Sequence, residues 1–287
     1  MAKRLRIPDD YFTLSQSLAY QYYNLNNYYT GLFPFGDGSS NNLSYTVALS
    51  RNNTFTNPIF PLGGSEFVLS ARFSLPYSLW NGVDYANLGD LEKFQDDDGN
   101  PDPAKIEQEK FKWLEFYKIK FKGSWYTRLF DKLVLRTHTE FGFLGAFNND
   151  RGVIPFDRFF LGGDGMSQYA MDGRETISLR GYPNQSLSSQ DGSTIYNRFS
   201  LELRYPITLK PAASIFGLTF METGQGYNSF REFNPFNGKR SVGLGLRIFM
   251  PAFGLLGIDF GYGLDSVNEF NLEPNGWETH FVIGQQF

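Results

Sequence analysis

Apolar residues recur at every second position in segments of roughly ten residues along the whole chain, and polar residues fill the positions between. Phe12, Leu14, Leu18, Tyr20 and Tyr22 share one parity, with Thr13, Ser15, Ser17 and Gln21 on the other. Leu43, Tyr45, Val47 and Leu49 stand likewise against Ser44, Thr46 and Ser50, and Phe67, Leu69, Phe73 and Leu75 against Glu66, Ser70 and Arg72. Next come Tyr117, Ile119, Phe121 and Trp125 against Lys118, Lys120 and Lys122, then Leu133, Leu135, Phe141 and Phe143 against Arg136, His138 and Glu140. A period of two is that of a strand with two unlike faces, and charge keeps to one of them.

Five more strands are predicted near 194–207, 214–227, 240–250, 254–264 and 278–287. In the third of these, Val242, Leu244, Leu246 and Ile248 oppose Ser241, Gly243, Gly245 and Arg247. In the fourth, Leu256, Ile258, Phe260, Tyr262 and Leu264 oppose Gly257, Asp259, Gly261 and Gly263. Glycines on that face leave space for something inserted against it.

About ten such strands and no run near the ~18 to 20 apolar residues of a membrane-spanning helix predict an all-β, antiparallel transmembrane β-barrel. Only a closed barrel satisfies its strands' backbone groups in lipid. The charged parity then lines a wet lumen, where a stripe of lysines is affordable. The links alternate in length, roughly 18, 13, 35, 5, 45, 6, 12, 3 and 13 residues, which predicts long extracellular and short periplasmic connections. The alternation puts the proline and glycine turn from Asn57 to Gly64 on the periplasmic side.

Composition sharpens this picture. A chain of 287 residues with 41% hydrophobic and 18% aromatic residues, 30 glycines and 30 phenylalanines, yet a mean hydropathy of -0.35, suits a barrel wet on one face. With no cysteine, neither a disulfide framework nor a thiolate metal site is possible, and a net charge of -4 gives no sign of nucleic-acid binding. Asp96 to Asn100 reads DDDGN, superficially a calcium loop, but the remaining ligand spacing does not follow and the segment reads as a solvated surface loop. Met1 to Pro8 is basic and lacks a secretory signal, so the chain is expected to be truncated at its N-terminus. His138 and His280 lie on different predicted strands and no Gly-x-Ser-x-Gly elbow occurs. A barrel-borne hydrolase would have only carboxylates such as Glu140 and Asp259 to draw on.

The run from Ile154 to Gly163 (IPFDRFFLGG), followed by Leu179-Arg180-Gly181-Tyr182 and Ser200-Leu201-Glu202-Leu203, resembles the BamA-type outer-membrane assembly factors of the bacterial surface antigen superfamily. Phe60 to Gly64, Phe220 to Gly224 and the terminal aromatic fall in the matching order, so the resemblance spans nearly the entire chain. It implies that residues 1–287 are the C-terminal portion of a barrel of about sixteen strands, with the POTRA domains and first strands absent. It also implies that an extracellular loop over 148–193 re-enters the lumen.

Within that loop the resemblance implies that Arg180 pairs with Glu202 and Glu222, since a guanidinium in a barrel interior needs carboxylates to offset its desolvation. Glu202 has lumenal parity. Glu222 shares parity with Phe216, Leu218 and Phe220, so either those residues face inward or a bulge shifts the register. Gly181 would allow close backbone approach or positive φ, and Tyr182 would pack on the inner wall. On this pairing Arg180→Ala loosens the loop and Glu202→Gln does so more mildly. The loop either plugs and stiffens the barrel or handles substrate directly.

The C-terminal strand with Phe281, Ile283, Gly284 and Phe287 is similar to the β-signal of barrel clients, and in the family it closes weakly on the first barrel strand. Gly284 is expected to interrupt that strand and weaken the seam. The resemblance implies an outer-membrane protein that folds and inserts nascent β-barrel clients without enzymatic chemistry, nucleotide or metal. Its partners would be those clients, accessory lipoproteins, periplasmic chaperones and outer-membrane lipids. The alternatives are a polypeptide secretion or translocation pore and a passive diffusion porin.

Overall fold

The alternating segments form one antiparallel sheet whose strands follow chain order. The computed structural model describes residues 1–27, 36–54, 57–166, 174–267 and 273–284. The sheet has eleven strands: β1 (Ala2–Arg4), β2 (Phe12–Leu25), β3 (Gly38–Asn52), β4 (Gly64–Ser74), β5 (Tyr117–Phe130), β6 (Leu133–Gly145), β9 (Ile195–Lys210), β10 (Ala213–Tyr227), β11 (Lys239–Met250), β12 (Gly254–Gly263) and β13 (Gly276–Gly284). Two short strands, β7 (Phe159–Leu161) and β8 (Glu175–Ile177), pair in parallel inside the long β6–β9 loop. The added strand relative to the sequence pattern is β1, too short to show a period, which covers only Thr13 to Ser15 of β2.

Register sorts every residue to a face. Partners across an antiparallel ladder share a face, so the chain of pairs Arg136↔Glu202, Glu202↔Phe220, Phe220↔Gly243 and Gly243↔Gly261 defines one side of the sheet. This inner face carries the long loop. Phe216, Leu218, Phe220 and Glu222 are all buried on it, while Met221 is exposed on the other. That settles the parity conflict at Glu222: the aromatics face inward. A register shift does occur in the β9–β10 ladder between Ile215 and Phe216, but it lies below Glu222 and leaves these four side chains on one face. The outer face presents exposed apolar side chains such as Leu18, Tyr20, Ile207, Phe260, Trp277 and Ile283.

Among the described residues β1 and β13 do not pair with each other, so the ladder is an open row of strands where the pattern predicts a closed ring. Gly284 pairs with Leu255 of β12 and is the last described residue of β13. Phe287 lies outside the described residues.

Two links differ from plain surface loops. The β4–β5 link contains α1 (Pro103–Phe111), which starts where Asp102 accepts hydrogen bonds from Ala104 N and Lys105 N and proline takes the first turn. In the same link Asp96 accepts from the amides of Asp98 and Asn100, a local turn of exposed residues. The β3–β4 turn folds back under the sheet: Phe60 is buried against Phe216, with ring centroids 5.2 Å apart, in a cluster with Tyr126, Val134 and Leu218. No helix is long and apolar enough to cross a membrane among the described residues.

Candidate functional site

The β6–β9 loop carries its own apolar core. Phe156, Phe159, Leu161, Leu179 and Tyr182 are buried together with Leu144 and Tyr196 of the flanking strands and with Leu114 and Phe116 from the β4–β5 link. The chain is therefore fixed on the inner face by packing before any charge is considered. A two-way bridge between Gly163 and Leu179 ties its two branches, with N–H to O distances of 3.1 and 3.0 Å.

Leu179 delivers Arg180 to the wall. Its guanidinium donates to Glu202 at 2.7 Å, to Glu222 at 2.5 Å and to Asp259 at 3.3 Å, and its backbone N–H donates to Glu222 at 3.0 Å. The guanidinium lies over the Phe220 ring, 3.7 Å from its centroid. The Arg180 side chain is 6% exposed, and those of Glu222 and Asp259 are 0%. One loop residue thus spans β9, β10 and β12.

Gly181 explains the glycines of β12. Its φ is +86°, and a Cβ there would sit 2.8 Å from the Ser241 Cβ and 3.0 Å from Gly263 N. A Cβ on Gly261 would in turn lie 2.6 Å from Gly181 N. Backbone meets backbone, and the space expected from the glycine pattern is filled by this loop. Gly181 N–H donates to His280 Nε2 at 2.8 Å, and Asn275 donates to Gly181 O at 2.9 Å. Tyr182, fully buried, donates to Arg240 O at 2.6 Å.

The carboxylates that receive Arg180 are also served by the wall. Glu202 accepts from Arg136 at 3.4 Å and from Arg204 at 2.5 Å, Glu222 from Arg198 at 2.7 Å, and Asp259 from Arg247 at 2.7 Å. None of Arg136, Arg198, Arg204, Arg247 and Asp259 was read from the sequence as part of this network. Their signal was present, because each has inner parity and arginines alternate there with acids. What parity lacks is the knowledge of which inner residues the loop reaches. Below the clamp lies a cavity of about 860 Å³ lined by Arg136, Arg204, Glu202, Asp259, Phe216 and the β3–β4 turn.

A second footing has the opposite polarity. Lys118 and Lys120 of β5 and Arg72 of β4 belong to the wall, and the loop supplies Asp157 and Glu175. Lys118 donates to Asp157 O and contacts Glu175, both at 2.8 Å; Lys120 pairs with Glu175 and Arg72 with Asp157. This corrects the wet lysine stripe: Lys118 is buried and paired, because the loop covers it, and only Lys122 is mainly exposed.

His138 lines the same face, with Nε2 2.6 Å from Glu140 and Nδ1 2.8 Å from Ser124 Oγ. All three side chains are buried, and Arg136 also donates to Ser124 Oγ. No group of three or more His, Asp or Glu side chains among the described residues is arranged to hold a metal ion.

The sequence matches the Omp85 superfamily domain over residues 4–287. The chain belongs to the Omp85 superfamily. No curated protein matches it in sequence. Among solved structures it is similar to that of BamA from Haemophilus ducreyi lacking POTRA domains 1–3, with a TM-score of 0.61 at 18% identity. That alignment covers 96% of this chain and 51% of the BamA chain, so this chain spans about half its length. The likeness is one of fold. Omp85 membership places the chain in the outer membrane, in a family of non-enzymatic barrel proteins.

Proposed function

We propose that this Omp85 chain forms the C-terminal part of a closed barrel of about sixteen strands whose task is to fold and insert β-barrel clients into the outer membrane. The observation that carries this reading is the Arg180 clamp: a loop held by one guanidinium to Glu202 on β9, Glu222 on β10 and Asp259 on β12, the strand next to β13. A loop so fixed fills the inner face rather than leaving a wide aqueous path, which disfavours a diffusion porin. It also braces β12, so that β13 can exchange partners at its outer edge without loss of the strands behind it. Free N–H and C=O groups at a sheet edge are a template for an extended client segment. Energy would come from the client's own folding, with local bilayer thinning lowering the barrier.

Purified protein in lipid vesicles, given a urea-unfolded barrel client, tests this. Folded client, seen as a heat-modifiable gel band, should accumulate faster than in empty vesicles and slower with Arg180→Ala. No acceleration by the wild type sinks the assembly reading. Client recovered protease-protected inside the vesicles would replace it with translocation, and high passive solute flux with a porin.

A further inference from the structure

The β4–β5 link builds a cup on the outer flank of the sheet, away from the lumenal loop and its clamp. Trp113 bridges Asn41 of β3, which shares the parity of the exposed Tyr45, whereas the next residue, Leu114, is buried with the loop on the inner face. Trp113 therefore points outward, 39% exposed, and the Tyr77 ring packs on it with centroids 5.1 Å apart. Trp80, 66% exposed, joins them, and Glu109 and Lys112 from the end of α1 complete a recess of about 300 Å³.

The cup is held from behind. Buried Glu115 accepts from Ser78 N at 2.8 Å and from Ser78 Oγ at 2.7 Å, which fixes the turn that carries Tyr77. Arg151, from the start of the β6–β9 loop, donates to Glu115 at 2.8 Å and to the carbonyls of Lys110 and Trp113. Its guanidinium lies 4.9 Å from the centroid of the buried Tyr85 ring. The charges of this support are paired, and those of the rim are not: the Glu109 carboxylate and the Lys112 ammonium make no hydrogen bond or ion pair among the described residues. The Tyr77 hydroxyl is likewise without a partner. All these residues belong to β3 and to the links that flank β5 and β6, so the cup does not depend on how the ends of the sheet close.

Position selects the occupant. On the same outer face stand the exposed side chains of Tyr45, Leu75 and Ile119, which an outer-membrane sheet turns toward lipid. The long β4–β5 link belongs to the extracellular rim by the alternation of link lengths. A molecule seated here has hydrocarbon on one side and water on the other, the setting of a lipid headgroup. An aromatic girdle accounts for tryptophan and tyrosine at this level, but not for a recess with an unpaired acid and base. Aromatic faces suit the apolar C–H face of a sugar ring, a carboxylate accepts from its hydroxyls, and an ammonium pairs with an acidic substituent.

We propose that the cup holds the sugar headgroup of an acidic glycolipid of the outer leaflet, its ring against Trp80 and Trp113, its hydroxyls on Glu109 and its phosphate or carboxylate on Lys112. The acyl chains then run down the flank of Leu75, Tyr45 and Ile119. A phospholipid offers the phosphate without the ring. Nothing in this site depends on the assembly reading above.

Native mass spectrometry of the full chain, released from detergent micelles that contain a lipopolysaccharide without its O-polysaccharide, tests this. The wild type should retain a single copy of that glycolipid. Trp80→Ala and Lys112→Glu should each lower its retention roughly tenfold. Both side chains are exposed, so heat-modifiable gel mobility should stay that of the wild type. Lys112→Arg, which keeps the cation, should retain binding, and so should Trp277→Ala, which removes an exposed aromatic from the outer face of β13. Wild-type retention in Trp80→Ala and Lys112→Glu overturns the proposal, and an equal fall in Trp277→Ala overturns it in favour of a general aromatic belt. Displacement of the glycolipid by phosphatidylglycerol at equal concentration also overturns it, because the phosphate alone would then be what the cup reads.

Discussion

The two charged footings of the loop are mirror images in polarity and unlike in environment. At one, an acidic wall on β9, β10 and β12 receives a loop arginine; at the other, a basic wall on β4 and β5 receives two loop acids. At the first, Arg180, Glu202, Glu222 and Asp259 are all 6% exposed or less. At the second, Arg72, Lys120 and Glu175 are between 26% and 34% exposed and Asp157 is 16%, and only Lys118, at 6%, is as buried as the first footing. Buried charges depend wholly on their partners, whereas half-wet charges can fall back on solvent. The difference implies that the Arg180 footing sets where the loop sits and that the basic footing only steers its other branch.

The sharpest break in that contrast should come from Glu202→Gln. Glu202 is the only carboxylate with which Arg136 and Arg204 form ion pairs among the described residues, so its loss strands two guanidiniums beside a third. Leaving buried charge uncompensated costs about 3–5 kcal/mol, and the temperature at which the protein loses its compact gel mobility should fall steeply. Arg180→Ala ranks second. Glu222 retains Arg198, Asp259 retains Arg247 and Glu202 retains two arginines, so the sheet should keep its heat-modifiable mobility while the loop becomes open to protease. From the sequence, Arg180→Ala is expected to disturb loop placement more than Glu202→Gln; partner sharing ranks their effects on overall stability the other way. Equal loss in the two variants would remove the argument from partner sharing. The smallest effect belongs to Lys120→Gln at the basic footing, where Lys118 continues to hold Glu175 and the cost should be no more than about 1 kcal/mol, further reduced by salt. A loss there as large as that of Glu202→Gln would show that the two footings are equal.

Much of the site was legible residue by residue. The period of two put Glu202 and Asp259 on the inner face, and the glycines at 257, 261 and 263 marked a place of close approach. Arg180 was placed opposite Glu202 and Glu222 by resemblance rather than by spacing, and in the structure it contacts both. What escaped were partners whose relation to Arg180 depends on how far the loop penetrates: Asp259, the Phe220 ring beneath the guanidinium, and His280 on the Gly181 amide. The inward fold of Phe60 escaped as well, because a proline and glycine turn looks the same whether it points to solvent or folds under a sheet.

Local pattern decided which residues form strands and, outside β10, where Phe216, Leu218 and Phe220 turn inward, which face each side chain takes, because alternation is a property of the extended backbone and needs no knowledge of neighbours. Tertiary structure alone decided how charge is compensated. Lys118 reads as a wet lysine by parity and is buried against Asp157 and Glu175, 39 and 57 residues further along the sequence. Ion pairing falls off within a few ångströms, so it depends on where the long loop comes to rest, and that is set by the packing of Phe156, Phe159, Leu179 and Tyr182 rather than by any period in the chain.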